Sequence, residues 1–243
     1  HAAGGVPVYI DIDPDTLNMT VEEVSRAMGP RTAAVICQHT FGIPAPAAAL
    51  QELCQRHRIP LIEDCAHALP DDKGPEEIGQ HGEFLILSFG RDKAISGITG
   101  GAVLSRRPSA SQELRTLQHR LGDLPCHRIA RLLLYPLLYA LARPLYGIGG
   151  IGKALLWICA RLRLLLPILE KEEKAGRLSP LLHRMPEACA ALALVQFERI
   201  EHLNNRRRAL TAYYLEEGHK HGWPMLQGIR RDLPLQKFPI FVK

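Results

Sequence analysis

The chain has 243 residues, 47% hydrophobic and 23% charged, with 30 Lys and Arg against 25 Asp and Glu for a net charge of +5. That apolar content excludes a disordered or collagen-like chain, and the length suits one large domain or one and a half. Aromatic residues make up only 6%, which speaks against a protein that stacks many nucleic-acid bases. The six cysteines, at 37, 54, 65, 126, 159 and 189, contain no Cys-x-x-Cys pair. They offer no zinc or redox spacing, so no metal site is expected, and they suit a reduced, cytoplasmic protein. The sequence opens on His1 with no initiator Met or leader, and it stops inside an apolar run, 238–243, that reads as a strand. Both ends read as cut from something longer.

The first hundred residues alternate strand and helix. Residues 6–12 form a β-branched apolar run, and Thr20 then caps a helix with Glu22 and Glu23 in its first turn. Residues 32–39 read as a strand, 46–58 as a helix through Leu50, Leu53 and Cys54, and 60–64 as a strand ending on a carboxylate. Further strands are expected at 84–88 and 101–105. Strands separated by helices imply crossover units and a mostly parallel α/β sheet. Ligands of such sheets sit at the carboxyl ends of the strands. His39, Asp64 and Ser88 fall at or just past such ends, which makes them site candidates on topology alone.

The middle differs in kind. Between residues 126 and 169 stand Arg128, Arg131, Arg143, Lys153, Arg161 and Arg163, with no acidic residue. Residues 132–142 are an uncharged run containing Pro136, residues 144–152 a Gly-rich turn, and 154–169 apolar again. Neither run reaches the roughly 20 apolar residues a spanning helix needs. Two apolar helices around a turn are expected, with Pro136 kinking the first or marking its start. Residues 186–217 read as one long helix on an imperfect apolar stripe, ended by Gly222 and Pro224.

The chemistry concentrates at 61–101. Asp64 stands at a strand end, and Ser88-Phe89-Gly90-Arg91-Asp92-Lys93 follows a later strand, leading to Gly97 and the pair Gly100-Gly101. These are the parts a pyridoxal phosphate enzyme needs. A buried Lys condenses with the cofactor aldehyde, an Asp keeps the ring nitrogen protonated, and a Ser can hold the phosphate. Each residue alone has a plainer reading: a capping Asp, a solvated Lys, a core or loop histidine at His39 and His67.

The motifs agree in order with one family. Gly5-Val6-Pro7-Val8-Tyr9-Ile10-Asp11-Ile12-Asp13-Pro14, Pro30-Arg31-Thr32-Ala33, His39-Thr40-Phe41-Gly42-Ile43-Pro44-Ala45 and Ile62-Glu63-Asp64-Cys65-Ala66-His67-Ala68 resemble successive segments of the DegT/DnrJ/StrS-type nucleotide-sugar aminotransferases. Ser88 and Lys93 match that family's SF-x-x-x-K motif in register, and Arg184-Met185 with the helix after it resembles a later segment. The resemblance covers nearly the whole chain except about 106–180. It implies a fold type I, three-layer α/β/α large domain over 1–185, bearing the insertion at about 126–169. A linking helix and the start of a smaller α+β domain would occupy 186–243.

The resemblance also implies roles. Lys93 would bind the cofactor as a Schiff base and shuttle protons, Asp64 would pair with the ring nitrogen, and Ser88 would hold the phosphate. His67 would take the place of the usual Gln beside the ring, and His39 would be a lesser contact. The reaction implied is transamination of a keto sugar, nucleotide-linked, with an amino donor such as glutamate, in polysaccharide or glycolipid biosynthesis. The family works as homodimers with a shared site. Alternatives are another pyridoxal phosphate reaction on the same scaffold and a non-catalytic sensor or interaction homologue. Lys93 argues against the dehydratase branch, which carries His there. Departures are Leu182 in place of an Asn that reaches the partner's phosphate, Thr99 in place of an acid, and Gly90-Arg91-Asp92 in place of an aromatic-Pro stretch. The family's phosphate loop would precede Gly4, so the fragment alone is expected to bind cofactor poorly and to be inactive.

The 126–169 insertion leaves two main readings open. It is a helical hairpin packed on its own domain or across a dimer, or it is an interfacial anchor for an anionic membrane at the inner face, with Tyr135, Tyr139, Tyr146 and Trp157 at headgroup level. Nucleic acid is not expected, because the basic residues are interleaved with Leu. Without this segment the chain holds 24 basic and 25 acidic residues, a net of −1, so the basic character belongs to the insertion.

Overall fold

A computed structural model of the chain describes residues 4–70, 78–166 and 182–241. Thr20 caps α1 (Val21–Ala27), its hydroxyl accepting the Glu23 N–H at 3.2 Å. β1 (Val35–Gln38) is followed by α2 (Ala47–His57). The apolar positions of α2 recur at helical spacing, so Ala47, Leu50, Leu53 and Cys54 are all buried. Arg58, left-handed at φ 58°, ends the helix, and its N–H bonds the Gln55 carbonyl. β2 (Leu61–Asp64), β3 (Phe84–Ser88) and β4 (Gly101–Ser105) complete a four-stranded sheet ordered β1-β2-β3-β4.

β1–β2 and β2–β3 pair in parallel and β3–β4 antiparallel. The sheet is therefore mostly parallel, as read from sequence. The register sets Gln38 opposite Asp64, Asp64 opposite Ile86, and Ser88 opposite Gly101. The carboxyl ends of the three parallel strands thus open on one edge. The main core lies between β1, β2, α1 and α2, built on Val24, Val35, Cys37, Leu50, Leu53 and Leu61.

Four expectations are corrected. Residues 6–12 form no strand beyond an isolated bridge between Ile12 and Met19. Their backbone has no ladder partner among the described residues, and Val6 and Tyr9 are 83% and 88% exposed; an extended segment without a partner is not a stable strand. The apolar residues 238–241 likewise make no ladder, although Phe238 packs on Tyr214 with ring centroids 5.1 Å apart. Among the described residues a helix joins only β1 to β2. β3 and β4 are linked by the loop 89–100, which an antiparallel pair permits without a crossover.

The fourth correction is the long helix, which is two: α6 (Glu187–Phe197) and α7 (Ile200–His221). The last turn of α6 tightens as Arg199 N–H bonds the Gln196 carbonyl, three residues back.

Between β4 and α6 lie α3 (Pro108–Arg120), α4 (Cys126–Ala142), a 3₁₀ turn (Arg143–Gly147) and α5 (Ile151–Arg161). The expected apolar hairpin is present. Pro136 sits inside α4 rather than at its start. Gly152 makes the hairpin tight: a Cβ there would lie 2.1 Å from the Ala142 carbonyl oxygen and 2.5 Å from the Tyr146 ring. Residues 167–169 of the expected insertion, Pro180-Leu181 of the departing motif, and the end of the C-terminal run at 242–243 lie outside the described residues.

Gly152→Ala should therefore destabilise the chain by about 1–3 kcal/mol through overpacking against a backbone atom. Gly147→Ala, whose Cβ would meet nothing within 4 Å, should stay within about 0.5 kcal/mol of the parent. Equal thermal melting temperatures for the two variants would contradict the packing described.

Candidate active site

The residues after each parallel strand build the site. After β1 the chain turns through Phe41 and Gly42, both left-handed at φ 58° and 98°. Phe41 is an uncommon occupant of that region, and strain of this kind persists only where the surroundings impose it. Its ring stacks on His67, which follows β2, with centroids 5.8 Å apart and planes 16° from parallel. The Phe41 N–H points at His67 Nδ1 at 3.4 Å.

Burial, and then the Lys93 and Lys237 cations, hold the His67 pKa below its ordinary value, against an opposing pull from Asp64 and Asp92. The ring is accordingly neutral at pH 7. With Nδ1 accepting, the proton rides on Nε2, which is then a donor. Asp64 closes β2; its Oδ1 accepts the Ala66 N–H at 2.9 Å, and Gln38 Nε2 approaches Oδ2 at 3.5 Å.

After β3, residues 89–100 form a closed loop in which Phe89 N–H bonds the Gly100 carbonyl and Gly97 N–H bonds the Phe89 carbonyl. Neighbouring elements hold it from outside. Gln196 of α6 accepts the Ser96 N–H at 3.1 Å and donates to the Ser96 carbonyl at 2.5 Å. Arg207 of α7 donates to the Ala94 carbonyl and, at 2.7 Å, to Asn204 Oδ1. Arg91 stacks 4.0 Å above the Tyr135 ring of α4 and donates to the Leu166 carbonyl. Gln236 donates to the Asp92 carbonyl, and Lys237 stands 3.8 Å from the Asp92 carboxylate. Gly97 and Gly100 admit Met185, which a Cβ at either position would meet at 2.7 and 2.6 Å.

Lys93 is the exception within this grip. Its backbone N–H bonds the Gly90 carbonyl, but its ammonium has no ion pair or hydrogen bond among the described residues. A methyl group placed on Gly90 would lie 3.5 Å from Lys93 Cγ and 3.9 Å from Ser88 Oγ. The lysine stem and the serine hydroxyl therefore border one small space. Lys93, Asp64, His67 and Ser88 are thus gathered at one edge of the sheet.

His39 is not gathered with them. It is fully buried, with Nε2 2.9 Å from Glu63 Oε2 and Nδ1 accepting the Ala45 N–H at 3.1 Å. Both nitrogens are committed to the fold. Leu182, where the family's Asn was expected, is an exposed alkyl side chain and offers no hydrogen bond.

Sequence reasoning missed Glu63. It is fully buried and receives hydrogen bonds from His39 and from the N–H groups of Gly79, His81 and Gly82. Burial alone would raise its pKa, but these four partners outweigh it and hold the carboxyl at about 2. His39, Glu63 and Cys65 also lie close enough to suggest metal ligands. The His39–Glu63 hydrogen bond already occupies the facing atoms, and burial beside Glu63 keeps the Cys65 thiol protonated, its pKa pushed far up.

Comparisons with known proteins assign the family and the fold. The family model described as the DegT/DnrJ/EryC1/StrS aminotransferase family matches residues 1–122, and the chain belongs to that family. Among solved structures it is similar to DesI, crystallised in the presence of its TDP-sugar product, at 26% identity and a TM-score of 0.60, covering 96% of this chain and 48% of that one. The aminotransferase TlmJ from Streptoalloteichus hindustanus is 23% identical, TM-score 0.59, covering 96% and 52%. NtdA from Bacillus subtilis, with bound cofactor PMP, is 17% identical, TM-score 0.64, covering 99% and 45%. The last two support the fold alone. The chain spans about half the length of the structures it matches.

Glu63 ionises more readily folded than unfolded, so its stabilisation is full above its ordinary value of 4.5 and is lost as pH falls towards 2. Glu63→Gln should cost about 3 kcal/mol at pH 7, because it breaks a buried, fully bonded charge. It should also flatten the acid limb of the stability curve over that window. Superimposable acid-denaturation curves for parent and variant would contradict this.

Proposed function

We propose that the chain is the lysine-bearing half of a pyridoxal phosphate-dependent aminotransferase acting on a keto sugar carried by a nucleotide, with an amino acid such as glutamate as donor. The observation that carries the reading is Lys93: an amine without an ion pair or hydrogen bond among the described residues, on a loop whose backbone is fixed all round, beside Asp64, Ser88 and a neutral His67. Family membership and the likeness to DesI, whose structure was obtained with its TDP-sugar product, support the substrate class.

The donor set fits the cofactor. When bound, pyridoxal phosphate supplies an aldehyde that condenses with amines and a ring that accepts electrons from the reacting carbon. Lys93 Nζ takes a proton from the substrate carbon and returns it on the other side of the exchange. Asp64 has acceptor capacity left on Oδ2 and keeps a proton on the ring nitrogen. The Ser88 hydroxyl, with no hydrogen bond among the described residues, donates to phosphate. His67 Nε2–H donates to the ring oxygen, and the Phe41 stack fixes its plane.

In the same reading residues 1–185 belong to the large cofactor-binding domain and 186–243 begin the smaller one. The enzyme works as a homodimer with a shared site in polysaccharide or glycolipid biosynthesis, at the cytoplasmic face of the inner membrane. The family resemblance supports the dimer and the pathway class. In this reading the contact with the bilayer is peripheral, through the hairpin at 126–169; no helix among the described residues is long and apolar enough to cross a membrane.

Lys93→Ala in the intact protein should abolish the visible absorbance of lysine-bound cofactor and lower transamination by about 10²–10⁴-fold. Asp64→Asn should keep the absorbance but slow turnover by a comparable factor. A folded intact protein with no visible absorbance after incubation with pyridoxal phosphate would overturn the proposal.

A further inference from the structure

The hairpin formed by α4, the 3₁₀ turn and α5 presents apolar side chains to solvent and carries charge of one sign only. Trp157 is 68% exposed, Leu141 and Leu162 are each 65% exposed, and Leu137, Ile148 and Ile151 are also exposed. Arg143, Lys153, Arg161 and Arg163 stand exposed among them. No Asp or Glu occurs between residues 126 and 166. The exposed apolar area is costly in water and marks an interaction site, and the cations around it give that site a single sign of charge.

We propose that this hairpin docks on an anionic lipid bilayer. Trp157 and its apolar neighbours would enter the headgroup–acyl boundary, and Arg143, Lys153, Arg161 and Arg163 would meet lipid phosphates. The proposal deepens the peripheral membrane contact named above and is independent of the chemistry at Lys93.

Charge complementarity selects this occupant. A second copy meeting the same face about a two-fold axis would set cation against cation with no acid in the contact, whereas each cation near an anionic leaflet is attracted to it. Dimensions agree: α4 has 17 residues and α5 has 11, too short to span and long enough to lie in the interface. The hairpin is also stiff enough to anchor a protein. Gly152 lets α5 close on Ala142, the rings of Tyr135, Tyr139 and Tyr146 form a continuous row, and Tyr135 is tied to Arg91 of the lysine loop.

The test is sedimentation of the intact protein with phosphatidylcholine vesicles, with and without phosphatidylglycerol. Binding should be at least about tenfold stronger with phosphatidylglycerol and should weaken as salt is raised. Trp157→Ser with Leu162→Ser, two exposed positions, should reduce that binding about tenfold, as should Arg161→Glu with Arg163→Glu. Melting temperature and cofactor absorbance should be unchanged in both. The absorbance separates failure of this proposal from failure of the aminotransferase reading. Equal binding to both vesicle types, or binding indifferent to both variants, would overturn it. So would variants that change the particle mass in light scattering without vesicles while vesicle binding is absent, which would make this face a contact between copies.

Discussion

The loop between β3 and β4 is gripped at its peptide groups by parts of the chain far away in sequence, and the candidate site depends on that grip. Gln196 takes both polar groups of Ser96, Arg207 takes the carbonyl of Ala94, and Gln236 takes that of Asp92. A loop satisfied in this way has little freedom to adjust. Lys93, whose ammonium has no ion pair or hydrogen bond among the described residues, therefore springs from a backbone held in a set position. The Arg207 guanidinium is itself half-buried, and burial pulls its pKa down; the carbonyl and Asn204 oxygens it meets offset part of the desolvation.

Beneath the loop, a second constraint fixes the strand ends. Glu63 gathers His39 from beyond β1 and the N–H groups of Gly79, His81 and Gly82 from the approach to β3. One carboxylate thereby joins the end of β1, the interior of β2 and the entry to β3. Strand alternation explains the division of labour between neighbours. Leu61 and Glu63 point into the core, and Ile62 and Asp64 to the other face. Adjacent carboxylates thus serve opposite ends, Glu63 the fold and Asp64 the site.

Local chemistry was legible in the sequence, and distant pairing was not. The bounds of β3 and β4 and the Thr20 cap follow from runs and residue types within a few positions. The run 6–12 has strand composition, but a strand needs a neighbour, and composition cannot supply one. The break between α6 and α7 carries no Gly or Pro, since it comes from a tightened turn beside Gln196, a residue drawn to Ser96 one hundred positions away. Lys93, Asp64, Ser88 and His67 were singled out because their motifs resemble those of a family. Glu63 lay inside the same motif and was passed over, although its place two residues after buried Leu61 was the available signal. His39 stands just past a strand end, as read, yet its ring turns inward to Glu63.

The hairpin after β4 is cationic and apolar while the rest of the chain is close to neutral, so it carries a physical character the rest lacks. Its tie to that frame runs through Tyr135 and Arg91, a residue of the lysine loop itself. The account rests on Lys93 being the amine that meets the cofactor, and the most direct measurement is covalent. The intact protein, loaded with pyridoxal phosphate, reduced with borohydride, digested and mapped by mass spectrometry, should carry the pyridoxyl mass on the peptide containing Lys93. The mass on a different lysine with that peptide unmodified, or no adduct at all, would contradict the account.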